Sequence, residues 1–184
     1  MQVRERRAGG PFLFDQALSR MRGNLIVEIG AIRDGRKVAE AADGWSTKKW
    51  ADTGMEVICV DTSEAALKTT KRVIGPRDNV SYYCVDGLEL LRYFVRPIDL
   101  LYIDGPNPDE DGQEFARLCV WLAPMAPNSI ILIDDCDFSD DGKGKTAIPL
   151  AQEMGFRLVT KGRQALLIRF DDPEFNPSDC AGIQ

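Results

Sequence analysis

Alternation constrains this chain more than any other feature of its sequence. Five short apolar runs lie at residues 24–30 (NLIVEIG), 56–61 (EVICVD), 80–86 (VSYYCVD), 98–104 (IDLLYID) and 129–134 (SIILID). Between them lie stretches with helical signals, and each run carries an acidic residue at or next to its end. Runs that are apolar on both sides suit strands covered on both faces, as in a parallel sheet. Helices are expected at 12–21, 46–51, 63–74, 87–95, 109–122 and 145–154. Ser63 supplies a cap and Glu64 an acidic first turn for the third of these. The end of the chain differs. Runs at 156–160 and 164–170 are separated only by Lys161, Gly162 and Arg163, which predicts a hairpin and not a helical crossover. The expected fold is α/β: seven strands, mostly parallel with the last antiparallel, and helices on both faces. We divide the chain into an arm and helix at 1–23, a main domain at 24–170 and a loosely held tail at 171–184.

Composition narrows the chemistry. The 184 residues suit about one domain, with a core that needs neither disulfides nor a structural metal. Lys and Arg number 23 against 29 Asp and Glu, a net charge of −6, so no large basic face for nucleic acid is expected. The chain has no histidine, which excludes His-based triads, His-ligated metals and imidazole proton shuttles. The cysteines are Cys59, Cys84, Cys119, Cys136 and Cys180, an odd set without CxxC spacing, which fits a reducing cytoplasm. The first three lie in apolar runs and read as small hydrophobes. The Arg-rich start is not followed by a signal-type apolar stretch, and no run is long enough to span a membrane.

In open α/β sheets, ligands bind beyond the carboxyl ends of the strands. There the sequence places Glu28, Asp61, Asp86, Asp104 and the pair Asp134 and Asp135. Any one of them suits a turn or a helix cap. An acid ending the second strand also reads ribose hydroxyls, a feature shared by nicotinamide dinucleotides and S-adenosylmethionine. A dinucleotide needs a GxGxxG turn for its pyrophosphate, and here Gly30 is followed by Ala31, Ile32, Arg33 and Asp34. Glu28 would repel phosphate but suits the ammonium of an amino acid. The next stretch is long and reaches Gly44, Trp45, Ser46 and Thr47. Ser46 or Thr47 is expected to cap the short helix that follows, whose free N–H groups suit a carboxylate. Gly142, Lys143, Gly144, Lys145 and Thr146 imitate the end of a phosphate-binding loop, but the full pattern needs glycine at 139, where Ser139 stands.

The ordered set VEIGAIR, DGWST, VDTS, VDG, IDLLYIDG and IILIDD–GKG, spread over residues 24–170, resembles the class I S-adenosylmethionine-dependent methyltransferases. The closest resemblance is to the small O-methyltransferase branch related to catechol O-methyltransferase and to sugar and natural-product methyltransferases. It implies a Rossmann-like sheet in the order 3-2-1-4-5-7-6, S-adenosylmethionine as cofactor and a small hydroxylated acceptor. Glu28 and Gly30 would form the first half of the cofactor motif, and Gly44, Ser46 and Thr47 the second. Asp61 and Thr62 would lie at the ribose, Asp86, Gly87 and Leu88 at the adenine, and Asp104 at the methionine end. The catechol-type branch holds a divalent cation with residues matching Asp104, Asp134 and Asp135, a set that suits Mg²⁺. Asp104, Asp134 and Lys143 are the expected catalytic residues; Lys145 could approach the same place. The sequence departs from that branch after Asp104: Gly105, Pro106 and Asn107 follow, with no lysine. It also lacks a DPPY-like run for methylating base amino groups. Trp45 and Phe138 are expected near the acceptor. The competing readings are a catalytically silent S-adenosylmethionine-binding or interaction domain and an NAD-dependent oxidoreductase.

Overall fold

The computed structural model describes residues 12–33, 45–138 and 142–169. Seven strands form one sheet: β1 (Leu25–Ile29), β2 (Glu56–Asp61), β3 (Val80–Cys84), β4 (Ile98–Ile103), β5 (Met125–Ile133), β6 (Arg157–Lys161) and β7 (Ala165–Arg169). Their spatial order is 3-2-1-4-5-7-6. β1 to β5 pair in parallel, and β7 runs antiparallel to both β5 and β6. The helices are α1 (Phe14–Arg20), α2 (Ser46–Ala51), α3 (Glu64–Ile74), α4 (Gly87–Tyr93), α5 (Glu110–Leu122) and α6 (Gly144–Glu153).

Strand alternation sorts the core into two layers. Leu25, Val27, Ile29, Leu101 and Ile103 pack with Leu91 of α4, Ala116 and Val120 of α5, and Ile148 of α6. Ile26, Leu100 and Tyr102 face the other way, onto Ala17 of α1, Trp50 of α2 and Leu67 of α3. Successive side chains of a strand point to opposite faces, so a buried strand must be apolar at nearly every position. All five residues of β1 are buried, and one of them is Glu28. On the α1–α3 face, Phe14, Trp50 and Tyr102 meet edge to face, with ring centroids 5.0–5.7 Å apart. Such contacts add about 0.5–1.5 kcal/mol each beyond burial.

Three helices begin at side-chain caps. Ser63 accepts from Ala66 N at 3.2 Å, Asp86 from Leu88 N at 2.8 Å and Asp109 from Gly112 N at 3.0 Å. Two expectations change. β5 starts at Met125, before the run at 129–134, because the pairing with β4 shifts register between Ile98 and Leu100 and so accommodates Pro127. The guanidinium of Arg169 donates to Met125 O at 3.1 Å and Ala126 O at 2.8 Å and holds that early segment. Cys84 is exposed because it ends the edge strand β3, whereas Cys59, Cys119 and Cys136 are buried. Among the described residues, no helix is long and apolar enough to cross a membrane.

Candidate active site

The ends of β1 and β4 come into backbone contact. Asp104 N donates to Ile29 O at 2.8 Å, and Gly30 N donates to Val60 O at 2.8 Å. Gly30 has φ of 112°, and a Cβ there would stand 2.4 Å from Asp104 O. Only glycine fits that position. The chain then leaves β1 sharply and opens a cavity of about 250 Å³ beyond the strand ends. Gly30, Arg33, Asp61, Thr62, Asp86 and Gly87 line it, with Gly105, Pro106 and Phe115 of α5 on the far side.

Asp61 organises this cavity. One carboxylate oxygen accepts from Ala31 N at 2.9 Å and the other from Ser63 N at 2.7 Å, so the side chain ties the β1 exit to the start of α3. A carboxylate offers about four acceptor positions, so two remain for a ligand. Asp86 caps α4, with Oδ1 taking the N–H groups of Leu88 and Glu89. Gly87 lets α4 approach the sheet, since a Cβ there would stand 2.6 Å from Ile29 Cγ2. Leu88 packs into the α4–α6 layer. Arg33 Nη2 donates to Gly105 O at 3.0 Å and bridges the two loops around the cavity.

Glu28 is not in this cavity. It shares strand parity with Ile26, so it points to the α1–α3 face, where it is fully buried. Its register partners are Cys59 and Tyr102. Ser46 donates a short hydrogen bond to Oε1, and Oε2 has no partner. Burial pushes the Glu28 carboxyl up to about 7, against the lowering effect of donors led by Ser46 and Thr47. The expected cap role of Ser46 and Thr47 therefore fails: Trp45 stands at the cap position of α2 without a side-chain bond. Ser46 lies inside the helix and turns to Glu28, and the Thr47 hydroxyl lies 3.9 Å from Cys59 Sγ. The buried Glu28 carboxylate accepts a hydrogen bond from the Ser46 hydroxyl, which turns that side chain away from the free N–H groups at the start of α2.

The acids ending β4 and β5 form a second group. Lys143 Nζ lies 3.1 Å from Asp135 Oδ2 and 3.6 Å from Asp104 Oδ1, and the lysine is 1% exposed. Asp134 faces elsewhere. Its Oδ1 accepts from Asp135 N at 2.9 Å and Arg163 Nε at 3.3 Å, and its Oδ2 from Tyr102 OH at 3.2 Å. Burial pushes the Asp104 carboxyl well up, reinforced by Asp134 and Asp135 and opposed by Lys143. The phosphate-loop likeness dissolves here: Lys143 is spent on carboxylates and the Thr146 hydroxyl donates to Gln113 O at 2.8 Å. Lys145 is exposed.

Asp104, Asp134 and Asp135 do not fit a divalent cation. Two of them converge on an ammonium and the third on a guanidinium, whereas Mg²⁺ demands oxygens arranged octahedrally around one point. Among the described residues, no cluster of three or more acidic or cysteine side chains could hold a metal ion. Gly44, Ser139, Asp140, Asp141, Cys180 and the segments 1–11 and 171–184 lie outside the described residues. Trp45 and Phe138 are partly buried, and neither lines the cavity. The sequence reading missed Arg33 and Phe115 as lining residues. Phe115 carries no local signal, because only the docking of α5 brings it there.

The same architecture recurs in solved structures of low identity. NSun6 from Pyrococcus horikoshii, solved with SFG, aligns with a TM-score of 0.65 at 15% identity, covering 87% of this chain and 51% of its own. The chain thus spans about half the length of that protein. The N-methyltransferase NodS from Bradyrhizobium japonicum aligns at 0.59 and 15% identity, covering 86% of this chain and 93% of its own. SAH-bound PaMTH1 from Podospora anserina aligns at 0.59 and 18% identity, covering 87% and 76%. No curated protein matches the chain. A family described as a methyltransferase domain matches residues 36–136, more than half of the sequence. With the 3-2-1-4-5-7-6 sheet, this shows that the chain belongs to the methyltransferase-domain family.

Proposed function

We propose that the protein transfers a methyl group from S-adenosylmethionine to a hydroxyl of a small molecule, a sugar or natural product. The observation that carries the cofactor assignment is Asp61. It lines the cavity with both oxygens pinned by backbone donors, and it keeps acceptor capacity for the two ribose hydroxyls. Thr62 stands beside it. Asp86, Gly87 and Leu88 form the adenine side, and Gly30 with Asp104 the methionine side. Glu28, Ser46 and Thr47 support the β1 exit from beneath. Gly44 belongs to the same cofactor loop in this reading.

Bound there, the cofactor supplies a sulfonium methyl group. The residues position the two reactants in line, and that accounts for most of the expected acceleration. Asp104 takes the hydroxyl proton as the oxygen–methyl bond forms and the sulfur–methyl bond breaks, which leaves a methyl ether and a neutral thioether. Asp134 holds the β5 end through Tyr102 and Arg163, and no step passes through a metal. The excess of acidic residues and the missing DPPY-like run favour a small acceptor over nucleic acid.

Calorimetry with S-adenosylhomocysteine tests the cofactor half. Binding should weaken at least about tenfold in Asp61→Ala while the folded circular-dichroism spectrum is retained. Equal affinity in the two proteins would remove Asp61 from the site. Radiolabelled methyl transfer to a panel of sugars, phenols and RNA tests the acceptor half. Label on the hydroxylated small molecules is the expected result, and label on RNA alone would overturn it.

A further inference from the structure

We infer that Lys143 is a resident cation of the acceptor site: its ammonium, held between Asp104 and Asp135, stands where a divalent metal would otherwise bind, and it makes methyl transfer independent of metal. The inference rests on the methyltransferase reading for its purpose, but its geometry is independent of the acceptor. A lysine 1% exposed is uncommon unless it is paired, and this one meets two carboxylates that are 19% and 15% exposed. The backbone is built to deliver it. Asp135, a non-glycine residue, sits at φ of 55°, and its carbonyl accepts from Lys143 N at 3.3 Å. Gly142 has φ of 48°, and a Cβ there would stand 1.9 Å from Asp135 O. The left-handed conformation of Asp135 disfavours an L residue by roughly 1–3 kcal/mol and persists only where the surroundings enforce it. Here the chain folds back from Gly142 onto Asp135 and seats the ammonium between the acids. Asp134, the remaining acid, is withdrawn by Arg163 and Tyr102 and does not join them.

An ammonium differs from a divalent ion in what it can do. It neutralises one carboxylate charge and donates hydrogen bonds at about 3 Å, but it leaves no coordination position for an acceptor oxygen. Lys143 is therefore a positioning residue. It fixes Asp104 and reduces the like-charge repulsion between Asp104 and Asp135.

Titration of the intact protein with Mn²⁺ and Mg²⁺, followed by calorimetry and by Mn²⁺ paramagnetic resonance, decides the matter. The natural protein should bind neither ion up to about 10 mM. Lys143→Met should gain Mn²⁺ binding at least about tenfold over the natural protein, and Lys143→Met/Asp104→Asn should lose that gain. Sub-millimolar binding by the natural protein that Asp135→Asn abolishes would overturn the inference. A folded Lys143→Met that gains no binding would overturn it too. If Lys143→Met does not fold, the natural protein's titration decides alone. An unchanged response to S-adenosylhomocysteine alongside metal binding would sink this inference and spare the cofactor assignment. Loss of that response would sink the cofactor assignment and leave the metal titration standing.

Discussion

Glu28 is a carboxylate enclosed by protein on every side, with one oxygen bonded to Ser46 and the other without a partner. Its carboxyl is raised from 4.5 to about 7, chiefly by burial. The folded state therefore holds the Glu28 proton more tightly than the unfolded chain does. This contribution to stability is complete below about pH 4.5, falls as pH rises through about 7 and is absent above, a span of roughly 3 kcal/mol at most. Glu28→Gln keeps an acceptor for Ser46 and removes the charge. Urea unfolding should find the variant more stable than the natural protein at about pH 8, by roughly 1–3 kcal/mol, with a flatter pH dependence between about 5 and 7. Parallel pH profiles for the two proteins would refute the assignment. At this scale the sequence was legible in part. Asp61 and Asp86 follow from their places at strand ends. Glu28 looked like one of that row because its strand parity points to a ligand or to a helix equally well. Only the position of α2 decides between them. Lys143 sat inside a phosphate-loop likeness, and its real partners come from β4 and β5, which no local pattern connects to it.

Among elements, the contact between the ends of β1 and β4 determines the shape of the cavity. Gly30→Ala would place a methyl 2.4 Å from the Asp104 carbonyl at a φ of 112°. Backbone on both sides leaves little room for relief, so a loss of stability of roughly 1–3 kcal/mol or more is expected, together with loss of S-adenosylhomocysteine binding. Denaturant midpoints and calorimetry read the two effects separately, and a variant with normal values for both would show that the strand ends can part. Element limits were most legible where a cap chemistry marks them. Ser63, Asp86 and Asp109 each precede a helix that starts where the side-chain oxygen permits. β5 was less legible. It begins at Met125, ahead of the apolar run at 129–134, where Arg169 of β7 bonds the carbonyls of Met125 and Ala126 and no local pattern points to that partner.

For the whole molecule, the α/β alternation and the terminal hairpin were enough to define the layers, because a parallel sheet buried on both faces leaves few alternatives. The strand order came with the family resemblance. A ligand that binds only the folded state raises its melting temperature by mass action. S-adenosylhomocysteine should raise that temperature by several degrees, with no response to NAD or ATP and no added effect of Mg²⁺. A response to NAD would favour the oxidoreductase alternative, and a response to ATP would revive the phosphate-loop likeness.

The backbone of Leu13, just ahead of α1, donates to the side chain of Gln164 at 2.7 Å, across 151 positions of sequence. Gln164 Nε2 also reaches Tyr102 OH at 3.3 Å, which links this contact to the Asp134 network. Translation adds about 5–20 residues per second. On the ribosome, Leu13 therefore waits roughly 8–30 s for its partner to be made. Until then α1 is held only by partners made earlier, Phe14 against Trp50 and Tyr102 and Asp15 against Lys49.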